Sequence, residues 1–163
     1  MVLLQHTNHN VPMRYLPFLL CPLLVLTACT GSKTDPEAEA LHMTAVARKL
    51  MQAGQYHEAK DTIATMRQRH AKAFQARKAA ILLLDSIELM EARDSVKVVG
   101  LQLEHEQLTL DLLANKRQQP QGEEAYTNQH IKVFRIATHL DELQAKERFF
   151  VRKIEVDKEK LGI

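Results

Sequence analysis

The side chains able to act as nucleophiles, bases or metal ligands are spread too thinly along this chain to build a site by neighbourhood. His42, His57, His70, His105, His130 and His139 are scattered, with no pair at i and i+4 and no cysteine beside them. A helical zinc site needs two imidazoles one turn apart, or a Cys/His cluster. No metal and no cofactor is therefore expected, and the histidines read as surface or boundary residues. Ser32, Ser86 and Ser95 have no glycine elbow, and no glycine-rich loop is present to cradle a phosphate. Asp85, Glu88, Glu91 and Asp94 fall on helical positions with Arg93 and Lys97 among them, which is the pattern of a solvated face. No catalytic residue is assigned and the chain is not expected to be an enzyme. Two thiols remain, Cys21 inside the apolar run LPFLLCPLLVL from Leu16 to Leu26, and Cys29 three residues beyond it.

That run has the length of a signal-peptide core, follows Arg14 and leads into small residues, whereas a spanning helix needs about 20 apolar residues. Pro17 and Pro22 inside it further oppose a stable membrane helix. The tetrapeptide Leu26-Thr27-Ala28-Cys29 resembles the lipobox of bacterial lipoproteins. The resemblance implies that a peptidase recognises Leu26, Thr27 and Ala28 and cuts before Cys29, whose sulfur carries a diacylglycerol and whose new amino terminus is acylated. Residues 1–28 are then a signal peptide, and the mature protein is lipid-anchored in the cell envelope at the outer membrane, on its periplasmic face or at the cell surface. The alternative is an ordinary secretory signal cut nearby, which leaves Cys29 a plain thiol or removes it. Translation starts at Met1 or at Met13, the latter giving the usual charge beside the apolar run.

Without residues 1–28 the chain carries 21 basic and 20 acidic side chains, which does not imply a nucleic-acid partner. It has no second thiol, so no internal disulfide supports it and packing alone must hold the fold. Residues 29–36, ending in TGSKTDP, have the composition of a flexible tether behind the modified cysteine. Beyond Glu37 the only glycines are Gly54, Gly100, Gly122 and Gly162, the only proline is Pro120, and strong helix formers dominate. The body is expected to be all-α. Four helices are predicted: Glu37 to Ala53 behind Asp35-Pro36, Tyr56 to Arg69, Ala73 to Lys116, and Glu123 to Lys160 after the QQPQG break.

The first two helices, residues 37–72, resemble one tetratricopeptide repeat. Gly54-Gln55-Tyr56 supplies the turn, Ala47 and Ala59 the small contact residues, and Leu50, Ile63 and Met66 the larger core positions. Met43 stands where that family commonly has an aromatic, and Ala71 where it has a proline. A lone repeat cannot bury its own face and must lean on a neighbour. Residues 73–163 offer one. Leu82, Leu89, Val96, Leu103 and Leu110 recur every seven residues, with Asp85, Ala92, Val99, Glu106 and Leu113 between them. Val133, Ile136, Leu140, Leu143, Glu147, Phe150, Ile154, Asp157 and Leu161 make the matching stripe downstream. A short polar turn favours folding back as an antiparallel coiled-coil hairpin within a monomer; pairing between chains in a homodimer is the alternative.

The stretch up to about residue 90 resembles small lipoproteins common in the Bacteroidetes, a likeness that carries no activity with it. Charge is segregated: Lys60, Arg67, Arg69, Lys72, Arg77 and Lys78 precede an acidic stretch from Asp85 to Asp111. Either the two pair with each other, or the basic end steers the chain to an acidic partner or to headgroups near the anchor. The leading functional reading is a non-enzymatic envelope lipoprotein presenting a helical face to a protein partner. A carbohydrate- or peptidoglycan-binding module is the alternative, although Tyr56 and Tyr126 are the only Tyr residues after the signal and the chain has no Trp.

Overall fold

The computed structural model describes residues 35–162, all in one compact unit. The signal segment, Leu26-Thr27-Ala28-Cys29 and the tether through Thr34 lie outside the described residues. Four helices make up the fold: α1 (Pro36–Gln52), α2 (Tyr56–Arg69), α3 (Phe74–Ala114) and α4 (Gly122–Leu161). Among the described residues there is no strand, as composition demanded.

Each boundary has a local cause. Asp35 accepts a hydrogen bond from the Glu37 amide at 3.0 Å, and Pro36 occupies the first helical position, where a missing N–H costs nothing. α1 stops at Gly54, whose φ of 75° lets the Gln55 amide reach back to the Leu50 carbonyl at 2.9 Å and the Gly54 amide to Met51 at 3.0 Å. The start of α3 has no oxygen of its own to cap it, because Ala73 stands at the cap position. Glu37 supplies one from α1, its Oε1 accepting from the Ala76 amide at 2.7 Å. An acid 39 residues away thus closes the helix that α1 packs on. The α3–α4 turn is tight at Gly122, where a Cβ would lie 2.2 Å from the Lys116 carbonyl oxygen, and Arg117 pairs with Glu123 across it.

Small residues let the first three helices approach closely. Ala40, Ala47, Ala59, Ala76 and Ala80 are fully buried among Ile63, Met66, Leu83 and Ile87, with Met43, Leu50 and Tyr56 packed around them. The buried Thr44 hydroxyl donates to the Ala40 carbonyl at 2.9 Å, so this core carries no unmet hydroxyl there.

α3 and α4, 41 and 40 residues long and each about 60 Å at 1.5 Å rise per residue, run antiparallel. Their ion pairs fix the direction: Arg93 meets Glu147, Glu88 meets Lys146, Asp85 meets Lys153, and Lys132 meets Glu106. Every position of both predicted stripes is buried or half-buried, whereas α4 has no fully buried residue at all. The hairpin is therefore a half-covered seam that owes much of its order to the polar side chains inside it.

Asp85 departs from the expected solvated face. It is only 4% exposed, because it sits in the seam, and Lys153 reaches both of its oxygens at 2.6 Å while also holding Asp157 at 2.7 Å. Burial pushes the Asp85 carboxyl up, while the hydrogen bond from Lys153 holds Asp157 down. Glu106, at the next charged seam position, accepts from Gln129 at 2.7 Å and from Lys132 at 2.7 Å, which holds its carboxyl below the usual range.

Removing one partner of such a pair leaves the other buried without compensation, whereas replacing both by apolar groups of similar size is commonly neutral or stabilising. Lys153→Met should cost about 1 to 3 kcal/mol in urea unfolding at pH 7, the discount reflecting a lysine still in touch with water. Asp85→Leu combined with Lys153→Met should recover most of that loss. A double variant as weak as the single one would show that the pair is not what Asp85 depends on.

Candidate functional site

α3 is apolar on two nearly opposite faces. One is the seam with α4. The other runs Ala76, Ala80, Leu83, Ile87, Met90, Asp94, Val98, Leu101, His105, Leu108, Leu112, in steps of three or four that keep every member on one line of the helix. Through Ile87 that line is covered by α1 and α2 and is buried. Beyond Asp94 the cover ends, and Val98, Leu101, Leu108 and Leu112 stand between 61% and 68% exposed.

The edge of the cover is polar and well defined. Tyr56, the first residue of α2, donates its hydroxyl to Asp94 Oδ2, and Lys97 approaches the other oxygen at 3.2 Å. Lys60, one turn along α2, reaches Glu88 at 2.6 Å and Glu91 at 2.7 Å, and Lys146 of α4 reaches the second oxygen of Glu88 at 2.9 Å. Glu88 thus ties α2, α3 and α4 together. Burial works against its charge, but Lys60 and Lys146 outweigh it and hold the carboxyl below the usual range. Past this clasp lies a shallow groove of about 520 Å³, lined by Tyr56, Asp94, Val98 and Val99 together with His139 and Leu143 of α4. The exposed face of α3 continues from its floor.

This arrangement can bind but gathers no reacting groups. His42 is exposed, His57 pairs with Asp61 at 3.3 Å, His105 lies 3.7 Å from Glu106, His130 stacks on Tyr126, and His139 lies 3.6 Å from Glu142. His70 is the one largely buried, 3.9 Å from Glu39, with its Nε2 lacking a hydrogen-bond partner. Among the described residues no group of three His, Cys, Asp or Glu is placed to hold a metal. Ser86 and Ser95 donate to carbonyls one turn back, Leu82 and Glu91, and are spent on their own helix. The expected acidic face is instead a set of inter-helix ties, since Asp85, Glu88, Glu91 and Asp94 each meet a partner from another helix. Cys29 and the Leu26-Thr27-Ala28 sequence before it are outside the described residues.

Sequence reasoning missed the exposed α3 face: the spacing of Val98, Leu101, Leu108 and Leu112 is its only signal, and the heptad leucines on the opposite side carry the stronger period. No protein-family model matches the chain, and no curated protein or solved structure is similar to it.

The hydrogen bond to Asp94 pushes the Tyr56 hydroxyl up to about 12, and the same bond holds the Asp94 carboxyl below its ordinary value. The raised tyrosine contributes stability that is complete below about pH 10 and is lost as pH rises through its folded value. The lowered aspartate contributes stability that is present above about pH 4 and lost as pH falls. Tyr56→Phe should therefore cost about 1 kcal/mol at pH 7, and the gap to the native protein should narrow at pH 2. Chemical denaturation at the two pH values measures it; an equal gap at both would exclude the pair as its source.

Proposed function

We propose that this chain is an envelope lipoprotein, anchored through Cys29, that holds a protein partner on the open half of α3 and performs no catalysis of its own. The observation that carries this reading is the continuation of one apolar line from under α1–α2 into solvent at Val98, Leu101, Leu108 and Leu112. Burying those four side chains would contribute about 4 to 8 kcal/mol before ordering costs, enough to drive association with an amphipathic helix laid along the line. In this reading α1–α2 is a single tetratricopeptide-like pair leaning on α3, and α3–α4 a coiled-coil hairpin closed within one chain. The fully buried Ala47 and Ala59 and the half-buried heptad positions support that description. The sugar-binding alternative finds less support. Tyr56 is engaged by Asp94, Tyr126 lies under Arg117 and against His130, and the exposed Phe74, Phe134 and Phe149 are far apart in sequence.

A photo-crosslinking amino acid placed at Leu101 or Leu108 in cells should yield a discrete adduct. One placed at Gln107, which is exposed on another side of α3, should not. Leu112→Asp should abolish the Leu108 adduct without lowering the melting temperature, because Leu112 is already 66% exposed in the isolated chain. Adducts of equal yield at Leu108 and Gln107 would refute the docking face. The anchor has its own test. Cys29→Ser should leave a precursor of unreduced mass that takes up no labelled palmitate, since the stable membrane binding expected of two or more acyl chains starts at that sulfur. A serine variant that still labels and matures would remove the lipoprotein reading while leaving the α3 face intact.

A further inference from the structure

One end of the bundle collects unspent positive charge. α2 ends and α3 begins there, and the ties from Glu37 to the Ala76 amide and from Glu39 toward His70 bring the start of α1 to the same end. Arg67, Arg69, Lys72, Arg77 and Lys78 lie in the last turn of α2, the connecting turn and the first turns of α3. Segregated charge in the sequence left open whether these residues pair with the acidic stretch downstream. Lys60 does so, through Glu88 and Glu91. Among the described residues none of the other five has a carboxylate within ion-pair distance, and the Arg77 guanidinium is turned to the Arg67 carbonyl at 3.2 Å. Arg69, Lys72 and Lys78 are exposed.

The carboxylates at the start of α1 each have a partner within the fold. Asp35 caps α1, Glu37 caps α3, and Glu39 faces His70. The last two turns of α4, which the antiparallel pairing brings to the same end, set Lys158 and Lys160 against Glu155 and Glu159, while Asp157 is held by Lys153, so they leave the sign of this end unchanged. The chain enters the fold here, at Asp35, six residues after Cys29. Six residues span at most about 22 Å even when fully extended. A lipid on Cys29 would therefore hold this end close to the bilayer, and the basic residues within roughly a Debye length or two of its headgroups.

We propose that Arg67, Arg69, Lys72, Arg77 and Lys78 form a docking surface for anionic phospholipid headgroups, which seats the bundle with this end on the membrane and the open half of α3 away from it. The proposal rests on the anchor reading for its setting, but the surface itself is a property of the folded chain. A cationic side chain near an anionic surface strengthens binding by about fivefold, and the attraction falls away with salt.

The test uses the chain from residue 29 carrying Cys29→Ser, so that no acyl chain contributes. The core described above lies wholly within it. It should cosediment with vesicles containing one-third phosphatidylglycerol at low ionic strength, fail to do so with pure phosphatidylcholine, and be released at 0.5 M salt. Arg69→Glu, Lys72→Glu and Lys78→Glu together should lower the partition coefficient at least about a hundredfold with an unchanged circular-dichroism melt. The same number of reversals at Lys116, Arg135 and Arg148, exposed residues beyond this end, should lower it far less. Equal binding to both vesicle types, or equal loss from the two triple variants, overturns the proposal. Because no lipid is attached to the protein in this experiment, such a failure is independent of whether Cys29 is acylated in cells, which palmitate labelling reads separately.

Discussion

The fold hangs on α3 having two apolar faces set nearly opposite each other. A helix with a single stripe can be satisfied by one neighbour, whereas this one requires two, and the chain supplies them from both sides in sequence. α1 and α2 precede α3 and cover one face with an alanine-rich contact; α4 follows it and covers the other with a heptad seam. Neither neighbour is self-sufficient. α4 buries no residue completely, and α1–α2 offers only two large fully buried side chains, Ile63 and Met66. Damage to α3 therefore undoes both halves of the molecule, while damage to α4 leaves the α1–α2 contact with its own packing.

Charge inside the packing sets how these layers align. Glu88 takes one lysine from α2 and another from α4, so that the two layers are placed on α3 by a single carboxylate. Asp85, Glu106 and Glu147 occupy seam positions that a leucine would fill at less cost in desolvation, and each is met by a cation from the opposite helix. Sliding α4 along α3 by one heptad would keep apolar residues facing apolar residues over much of the seam. The same slide would strand these carboxylates. Register is thus fixed by polar positions spaced along a contact whose apolar part is forgiving.

Local sequence signals account for most of the architecture. Asp35-Pro36, Gly54 and the stretch from Gln118 to Gly122 each mark a backbone event with its own chemistry, and the helix ends fall within a few residues of them. The two seam stripes were legible because a heptad is a one-dimensional pattern. What one dimension hides is pairing across it. Nothing in the neighbourhood of Asp85 or Glu88 announces Lys153, Lys60 or Lys146, which lie 68, 28 and 58 positions away, so a tied carboxylate and a solvated one look alike. The cap on α3 was hidden in the same way, since Glu37 belongs to another helix. The exposed face was concealed by superposition, because two stripes on opposite sides of a helix cancel in any measure of one-sidedness.

The uninterrupted run of α3 also makes it a ruler. Leu101 and Leu112 lie about 40 and 57 Å along the axis from Phe74, at 1.5 Å per residue, and the helix continues unbroken through Gly100. A flexible linker of that contour would hold its two ends at a fluctuating distance and let either drift to the other. The helix, braced on one side by α4 for most of its length, sets a standoff instead: whatever covers the open stretch is kept a fixed distance from the end where the chain enters. Deleting one heptad from each arm of the hairpin would shorten that standoff by about 10 Å without altering the chemistry at either end.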